Sequence, residues 1–248
     1  MAKTDFSNEQ ICAHRGSSGA YPENTHAAFD AAASVGAGWI ETDIQCLADG
    51  ELAIFHDTHL GRTAQGSTKV TSLSWLDMAD LDVGSWKGAA FVAERPLRCE
   101  ELIAWQTEAS DRPGIVWEVK CDDDPAAVDA AAAAVTKRLC DAGDHRCILS
   151  SFSRDVLVAL RPQLPAIPMA LIAEALPDDG VAFCQQHDLE GMHLDGHQVT
   201  HDSARAVLDA GLALRCYTIN DVKEAERLVA LGASMIMTDF PERFLARD

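Results

Sequence analysis

Gly191-Met192-His193-Leu194-Asp195, a periodic polar–apolar run at 200–210, Leu212-Ala213-Leu214-Arg215-Cys216-Tyr217-Thr218-Ile219, a second such run at 221–231, and Ser234-Met235-Ile236-Met237-Thr238 follow one another near the end of the chain. The short apolar runs read as buried strands, and the stretches between them carry the spacing of amphipathic helices. Strand and helix alternating at this pace describe βαβ units and a parallel sheet. Working back toward the N-terminus, the same rhythm places strands at 168–173, 146–151, 114–120, 38–45 and 10–14. Helices fall near 178–187, 153–162, 125–142, 98–109 and 24–36, with a short one closing the chain at 243–248 or reaching a neighbour. The Ala126–Ala134 run is a strong helix former. Eight strand–helix units in 248 residues favour one closed (β/α)8 barrel domain over a doubly wound open sheet.

One interval breaks the rhythm. Residues 46–97 hold a strand-like run, Glu51-Leu52-Ala53-Ile54-Phe55-His56, and then a long loop-rich stretch. Such a length after the second strand reads as an insertion, and long βα loops of barrels tend to carry function. Its Leu73, Trp75, Leu76, Trp86 and Phe91 are expected to pack the insertion onto the barrel.

Polar residues gather at the C-terminal ends of the predicted strands. His14-Arg15-Gly16 ends the first, Glu41 and Asp43 the second, Glu118 and Lys120 the third, and His193 and Asp195 the sixth, while His56 ends the extra run. Residues two apart on a strand face the same side. Carboxylates in a barrel interior are costly unless a cation compensates them. Glu41, Asp43 and Glu118 make an all-oxygen set suited to a hard cation, Mg2+ or Ca2+, and ion pairs with Arg15 or Lys120 are their alternative use. His14 and His56 are the natural acid–base pair, since imidazole titrates near neutrality. Arg15 and Lys120 can neutralise a phosphodiester.

Composition narrows the partners. The net charge is −19, from 39 acidic and 20 basic residues. So negative a surface disfavours nucleic acid and stable membrane association. A phosphate ester substrate then requires a bound cation and local Arg or Lys to reverse the field in the pocket. No run reaches the roughly 20 apolar residues of a membrane span, and the polar start suggests no export signal. Eight cysteines without paired spacing read as thiols of a reducing cytoplasm. The sequence leaves the oligomeric state open.

Ala13-His14-Arg15-Gly16, Tyr21-Pro22-Glu23-Asn24-Thr25 and Ala28-Phe29 resemble the opening signature of glycerophosphodiester phosphodiesterases. So do Ile40-Glu41-Thr42-Asp43-Ile44, Asp49-Gly50, His56-Asp57, Leu60-Gly61-Arg62-Thr63, Trp117-Glu118-Val119-Lys120, Ser150-Ser151-Phe152, Tyr217-Thr218-Ile219-Asn220 and Thr238-Asp239-Phe240-Pro241. The resemblance runs in order from about residue 11 to residue 241. Its late block is most similar to cytosolic bacterial members that use soluble deacylated phospholipids.

The resemblance implies a (β/α)8 barrel with an insertion after the second strand and one divalent ion on Glu41, Asp43 and Glu118. It implies His14 and His56 as general acid and base. Arg15, Lys120, Glu23, Asn24, His193 and Tyr217 form the expected substrate- and phosphate-binding set. Within it Glu23 and Asn24 brace His14 and Arg15, with a plain helix N-cap as the alternative for Asn24. The expected products are glycerol 3-phosphate and an alcohol such as choline, ethanolamine or glycerol. The resemblance favours attack by the glycerol 2-hydroxyl, through a cyclic phosphate that water then opens, with direct attack by water as the alternative. Two departures stand out: Pro96-Leu97-Arg98-Cys99-Glu100-Glu101 displaces the family's proline, and Tyr217 stands where the family often has Trp. Competing readings are a lysophospholipase D acting on lipid and a non-catalytic glycerol-phosphate binder.

Overall fold

The computed structural model describes residues 6–122, 124–141 and 146–245. The first half of the chain runs β1 (Ile11–His14), α1 (His26–Val35), β2 (Trp39–Cys46), β3 (Leu52–Ile54), α2 (Trp75–Met78), β4 (Leu97–Arg98), α3 (Cys99–Thr107) and β5 (Gly114–Lys120). There follow α4 (Pro125–Asp141), β6 (Cys147–Ser151), α5 (Arg154–Leu160), β7 (Met169–Ala173), α6 (Gly180–Gln186), β8 (Gly191–Asp195), α7 (His201–Asp209), β9 (Ala213–Tyr217), α8 (Val222–Ala230) and β10 (Met235–Thr238).

Strands β2, β5, β6, β7, β8, β9 and β10 pair in parallel, one after the next. β1 pairs with both β10 and β2 and so closes the ring. The result is the expected (β/α)8 barrel. The short closing helix is instead a 3-10 turn, Pro241–Arg243, and residues 246–248 of the expected tail lie outside the described residues.

Strand alternation builds two cores. On β5, Ile115, Trp117 and Val119 point to the helices and join the large outer core, while Val116 joins Cys12, Ile148, Met235 and Met237 inside the barrel. Each fully buried side chain of this size contributes about 1.5–3 kcal/mol. The same alternation carries Glu118 and Lys120 above Val116, at the C-terminal mouth.

The insertion is more ordered than a loop. β3 pairs antiparallel with the end of β2, and β4, not foreseen, pairs antiparallel with β3. Leu47, Ala53, Phe55, Ala64, Val70, Met78 and Val83 form its small core, with Leu73 and Trp75 against it. Leu76 and Trp86 do not pack as expected: Leu76 is 87% exposed and Trp86 40%. At the displaced proline, Glu101 still reaches back to accept from the Arg98 N–H at 2.9 Å and so starts α3. Of the cysteines, Cys140 is exposed rather than buried, and Cys46 and Cys121 are half-buried. Among the described residues no helix is long and apolar enough to cross a membrane.

Candidate active site

Where β1 ends, the backbone turns through two left-handed residues, Arg15 (φ +57°) and Gly16 (φ +78°). A Cβ on Gly16 would lie 2.6 Å from the backbone carbon of Ala28, so only glycine lets α1 approach this closely. The turn is fixed by Arg15 N–H donating to the Glu41 carbonyl at 2.9 Å and Asn24 N–H to the Arg15 carbonyl at 3.0 Å. Thr25, not Asn24, is the N-cap of α1, its hydroxyl accepting from Ala28 N–H at 3.3 Å. Asn24 is itself left-handed (φ +59°) and buried. Its amide donates to Asp43 Oδ2 at 2.9 Å, and its carbonyl accepts from the Thr42 hydroxyl at 2.8 Å. Asn24 therefore stands behind the carboxylates, with both ends of its amide engaged.

Sheet register makes the acidic cluster. His14 pairs with Glu41 across β1–β2, and Asp43 with Glu118 across β2–β5. Glu41, Asp43 and Glu118, all buried, each offer an oxygen within 4.8 Å of the others. Burial first, then Asp43 and Glu118, push Glu41 well above the usual carboxylate range. Burial pushes Glu118 up to about 7. Asp43 goes the other way: against its burial, Arg15, Lys120 and His56 hold it below the ordinary value. Arg15 Nε lies 3.2 Å from Asp43 Oδ2, and Lys120 Nζ lies 3.1 Å from Asp43 Oδ1 and against Glu118. Two cations thus serve three acids, so ion pairing, the alternative use of these residues, accounts for part of the cluster. Glu41 Oε1 is buried without a hydrogen-bond partner. An all-oxygen donor set with an unpartnered buried oxygen is what a hard divalent cation fits.

Two histidines stand over this cluster, each tied at Nδ1 to an aspartate. His14 Nδ1 lies 2.7 Å from Asp239 Oδ1, and His56 Nδ1 lies 2.7 Å from Asp57 Oδ1. Asp239 also accepts from the Ser18 hydroxyl (3.0 Å) and the Asn220 amide (2.8 Å). Although burial opposes it, the His14 bond and these donors hold Asp239 down at about 2. An ionised acceptor fixes Nδ1 as the protonated nitrogen and leaves Nε2 free for the site. His14 Nε2 lies 3.9 Å from Glu41 Oε2. His56 is placed by Gln45, whose buried amide donates to the carbonyls of Phe55 (2.8 Å) and Asp57 (2.9 Å). Burial lowers the His56 pKa, so its neutral form is favoured.

Arg62 completes the network. It donates twice to Asp57 (2.8 and 2.9 Å) and twice to Glu23 (2.6 and 2.7 Å), and Glu23 also accepts from Arg15 Nη1 at 2.9 Å. Glu23 is thus shared between two arginines. Asp57, Arg62, Asn220 and Asp239 stand within the quoted motifs, but their positions in the sequence alone assign them no role. Their partners lie up to 225 residues away, and no spacing rule reveals them.

His14, Glu41, Glu118, Ser150, Phe152, Ile172, His193, Tyr217 and Met237 line a narrow cavity in the mouth. His193 sits at depth, 1% exposed, with Arg215 Nη1 3.5 Å from its Nε2. Burial, then Arg215, drives its pKa well down, so it is neutral. Tyr217 donates to the Ala173 carbonyl at 3.1 Å and meets Phe152 edge-on at 6.2 Å, making an aromatic wall. A wider, open cleft of about 460 Å³ lies on the other side of Lys120, between the insertion and α4. His14, Glu41 and Glu118 line the narrower cavity, whereas His56 lines a small neighbouring pocket with Glu23 and Asn24. The carboxylate cluster places the chemical centre at this mouth rather than in the wider cleft.

The glycerophosphoryl diester phosphodiesterase family profile matches residues 14–243. The chain is 28% identical to a glycerophosphodiester phosphodiesterase of Bacillus subtilis (strain 168) over 245 residues, 94% of this chain and 84% of that protein. It is equally 28% identical to one from Bacillus altitudinis over 251 residues, 94% and 96% of the two chains. An Oleispira antarctica phosphodiesterase, solved with the product sn-glycerol-3-phosphate, superposes with a TM-score of 0.89 at 29% identity, covering 95% of this chain and 94% of that one. The chain belongs to the glycerophosphoryl diester phosphodiesterase family.

Proposed function

We propose that this phosphodiesterase hydrolyses water-soluble glycerophosphodiesters, such as glycerophosphocholine or glycerophosphoethanolamine, to glycerol 3-phosphate and an alcohol. The observation that carries the reading is the pair of histidine–aspartate dyads, His14–Asp239 and His56–Asp57, set over one carboxylate cluster. The product bound to the Oleispira antarctica relative supports the glycerol 3-phosphate half. Residues 1–248 act as one catalytic domain, with the 46–97 insertion supplying His56. Eight scattered cysteines without paired spacing suit a reducing, cytoplasmic setting.

Glu41, Asp43 and Glu118 would hold one Mg2+ or Ca2+, which when bound supplies Lewis acidity to a phosphate oxygen and a fixed point for a substrate hydroxyl. Arg15 and Lys120, at the rim of the cluster, neutralise the phosphodiester. With Nδ1 held by an aspartate, one histidine takes a proton at Nε2 from the attacking oxygen, which is either water or the glycerol 2-hydroxyl. The other gives its Nε2 proton to the leaving alcohol. Where the hydroxyl attacks, water then adds to the cyclic phosphate and opens its bond to O2 to give glycerol 3-phosphate. Asp239 and Asp57 each stabilise the imidazolium that forms, as an orienting carboxylate does elsewhere. Tyr217 and Phe152 wall the organic part of the substrate, with His193 as a neutral floor. Glu23 and Asn24 act behind, holding Arg15 and Asp43.

The test is release of glycerol 3-phosphate from glycerophosphocholine by protein stripped with EDTA and resupplied with Mg2+ or Ca2+. His14→Ala and His56→Ala should each lower kcat by about 10²–10⁴-fold. Turnover in EDTA equal to that with metal, or near-full activity in either variant, would sink the reading.

A further inference from the structure

The two dyads meet through the insertion. Ser18 braces the first: its single hydroxyl proton is shared between the His14 carbonyl at 2.7 Å and Asp239 Oδ1 at 3.0 Å. Arg62 braces the second through Asp57. Both braces contact one dipeptide, Trp86-Lys87. Lys87 Nζ donates to the Ser18 carbonyl at 2.6 Å, a link across 69 residues. The Arg62 guanidinium stands 5.9 Å from the Trp86 ring centroid, and Lys87 Nζ stands 5.3 Å from the same ring. Both cations are within reach of the indole's negative face, which lets two positive groups share one corner.

The dipeptide is itself fixed. The Trp86 indole N–H donates to the Val83 carbonyl at 2.8 Å. A Cβ at Gly84 would fall 1.9 Å from the Phe91 carbonyl oxygen, so the 83–91 loop closes tightly on itself. Phe91 then packs edge-on against Tyr21 of the β1–α1 loop at 5.7 Å. Trp86 is 40% exposed, so burial of its ring does not account for its place.

We infer that Trp86 and Lys87 are positioning residues of the insertion that hold both histidine–aspartate dyads, Lys87 through Ser18 and Trp86 through Arg62. The inference rests on the proposed roles of His14 and His56. It gives the insertion a task beyond carrying His56: it sets the two imidazoles relative to each other from one point. Neither residue lines the narrow cavity, so both act on orientation, where small displacements have large effects on rate.

The experiment uses the full chain with Mg2+ and glycerophosphocholine. Lys87→Met should lower kcat by about tenfold with KM within about twofold, and Lys87→Arg should restore it, because a guanidinium can donate to the same carbonyl. Ser18→Ala should cost a similar factor, and Lys87→Met/Ser18→Ala little more than either alone, as expected for two members of one link. A second readout is independent of turnover: the Nδ1 protons of His14 and His56 by NMR of ¹⁵N-histidine-labelled protein. Lys87→Met should speed solvent exchange of the His14 proton and Trp86→Ala that of the His56 proton, with circular dichroism unchanged. Wild-type kcat and unchanged exchange in folded variants would overturn the inference. Retained activity in His14→Ala and His56→Ala would instead refute the catalytic reading, while the exchange data would still report whether the link exists.

Discussion

Asp239→Asn is the most informative single change, because it keeps the shape of the side chain and removes only charge and one acceptor. Asp239 Oδ1 faces His14 Nδ1 at 2.7 Å, and Oδ2 accepts from the Asn220 amide at 2.8 Å. An asparagine there has one oxygen. If it faces His14, its NH2 meets the NH2 of Asn220; if it faces Asn220, its NH2 opposes His14 Nδ1. Either choice places donor against donor or turns the imidazole to the wrong tautomer. The lost charge matters as well. An imidazolium and a carboxylate about 4 Å apart at an effective dielectric of about 20 attract by about 4 kcal/mol. The Asp239 side chain is 29% exposed, and water screens part of that. A loss of about 2–3 kcal/mol in transition-state stabilisation remains, or about 30–150-fold in kcat. KM should stay within about threefold, since the ground-state phosphate contacts of Arg15 and Lys120 are untouched. The assay is the initial rate of glycerol 3-phosphate release from glycerophosphocholine at saturating Mg2+. A kcat within threefold of wild type would refute the claim that Asp239 sets the working form of His14.

Metal-free stability should fall as pH rises. Glu118 has a folded pKa of about 7, above its unfolded value, so its charged form destabilises the fold, beginning above the unfolded pKa and reaching full size above about 7. Glu41 acts in the same direction. The Tm in EDTA should therefore decline between about pH 5 and 8, and added Mg2+ or Ca2+ should flatten the profile; a pH-independent gap between the two curves would contradict this. Asp239, held at about 2, has the opposite sign: its contribution is present above the unfolded carboxylate value and lost as pH falls through 2. Gly16→Ala combines φ +78° with a 2.6 Å clash against the Ala28 backbone and should lower stability by about 2 kcal/mol or more in urea denaturation. Arg62→Met removes four donors to Glu23 and Asp57 and should reduce kcat by about tenfold with folding intact by circular dichroism; unchanged kcat would detach Asp57 from His56 function.

Much of the fold was legible because it repeats. Each barrel unit needs a buried strand and an amphipathic helix, and those patterns are local, so each of the eight barrel strands lies within two residues of its expected bounds. The insertion was less legible. β3 and β4 are three and two residues long, and their hydrogen-bond partners lie on other strands. Leu76 looked like packing and is 87% exposed, since a four-residue helix does not reveal which side faces the core.

The sequence by itself determined the barrel, the strand ends that carry His14, Glu41, Asp43 and Glu118, and the all-oxygen character of the cluster, because period-2 alternation and residue chemistry are written along the chain. Only the tertiary structure decided how those groups are partnered. Asp239 reaches His14 because β10 closes the barrel onto β1, and Glu23 bridges Arg15 and Arg62 because the insertion folds back over the first βα loop. Asn24, Thr25 and His193 took their places from left-handed backbone, capping geometry and depth in the barrel. These are three-dimensional relations with no local signature, since the free energy of a buried polar pair depends on the distance between groups that the chain itself keeps far apart.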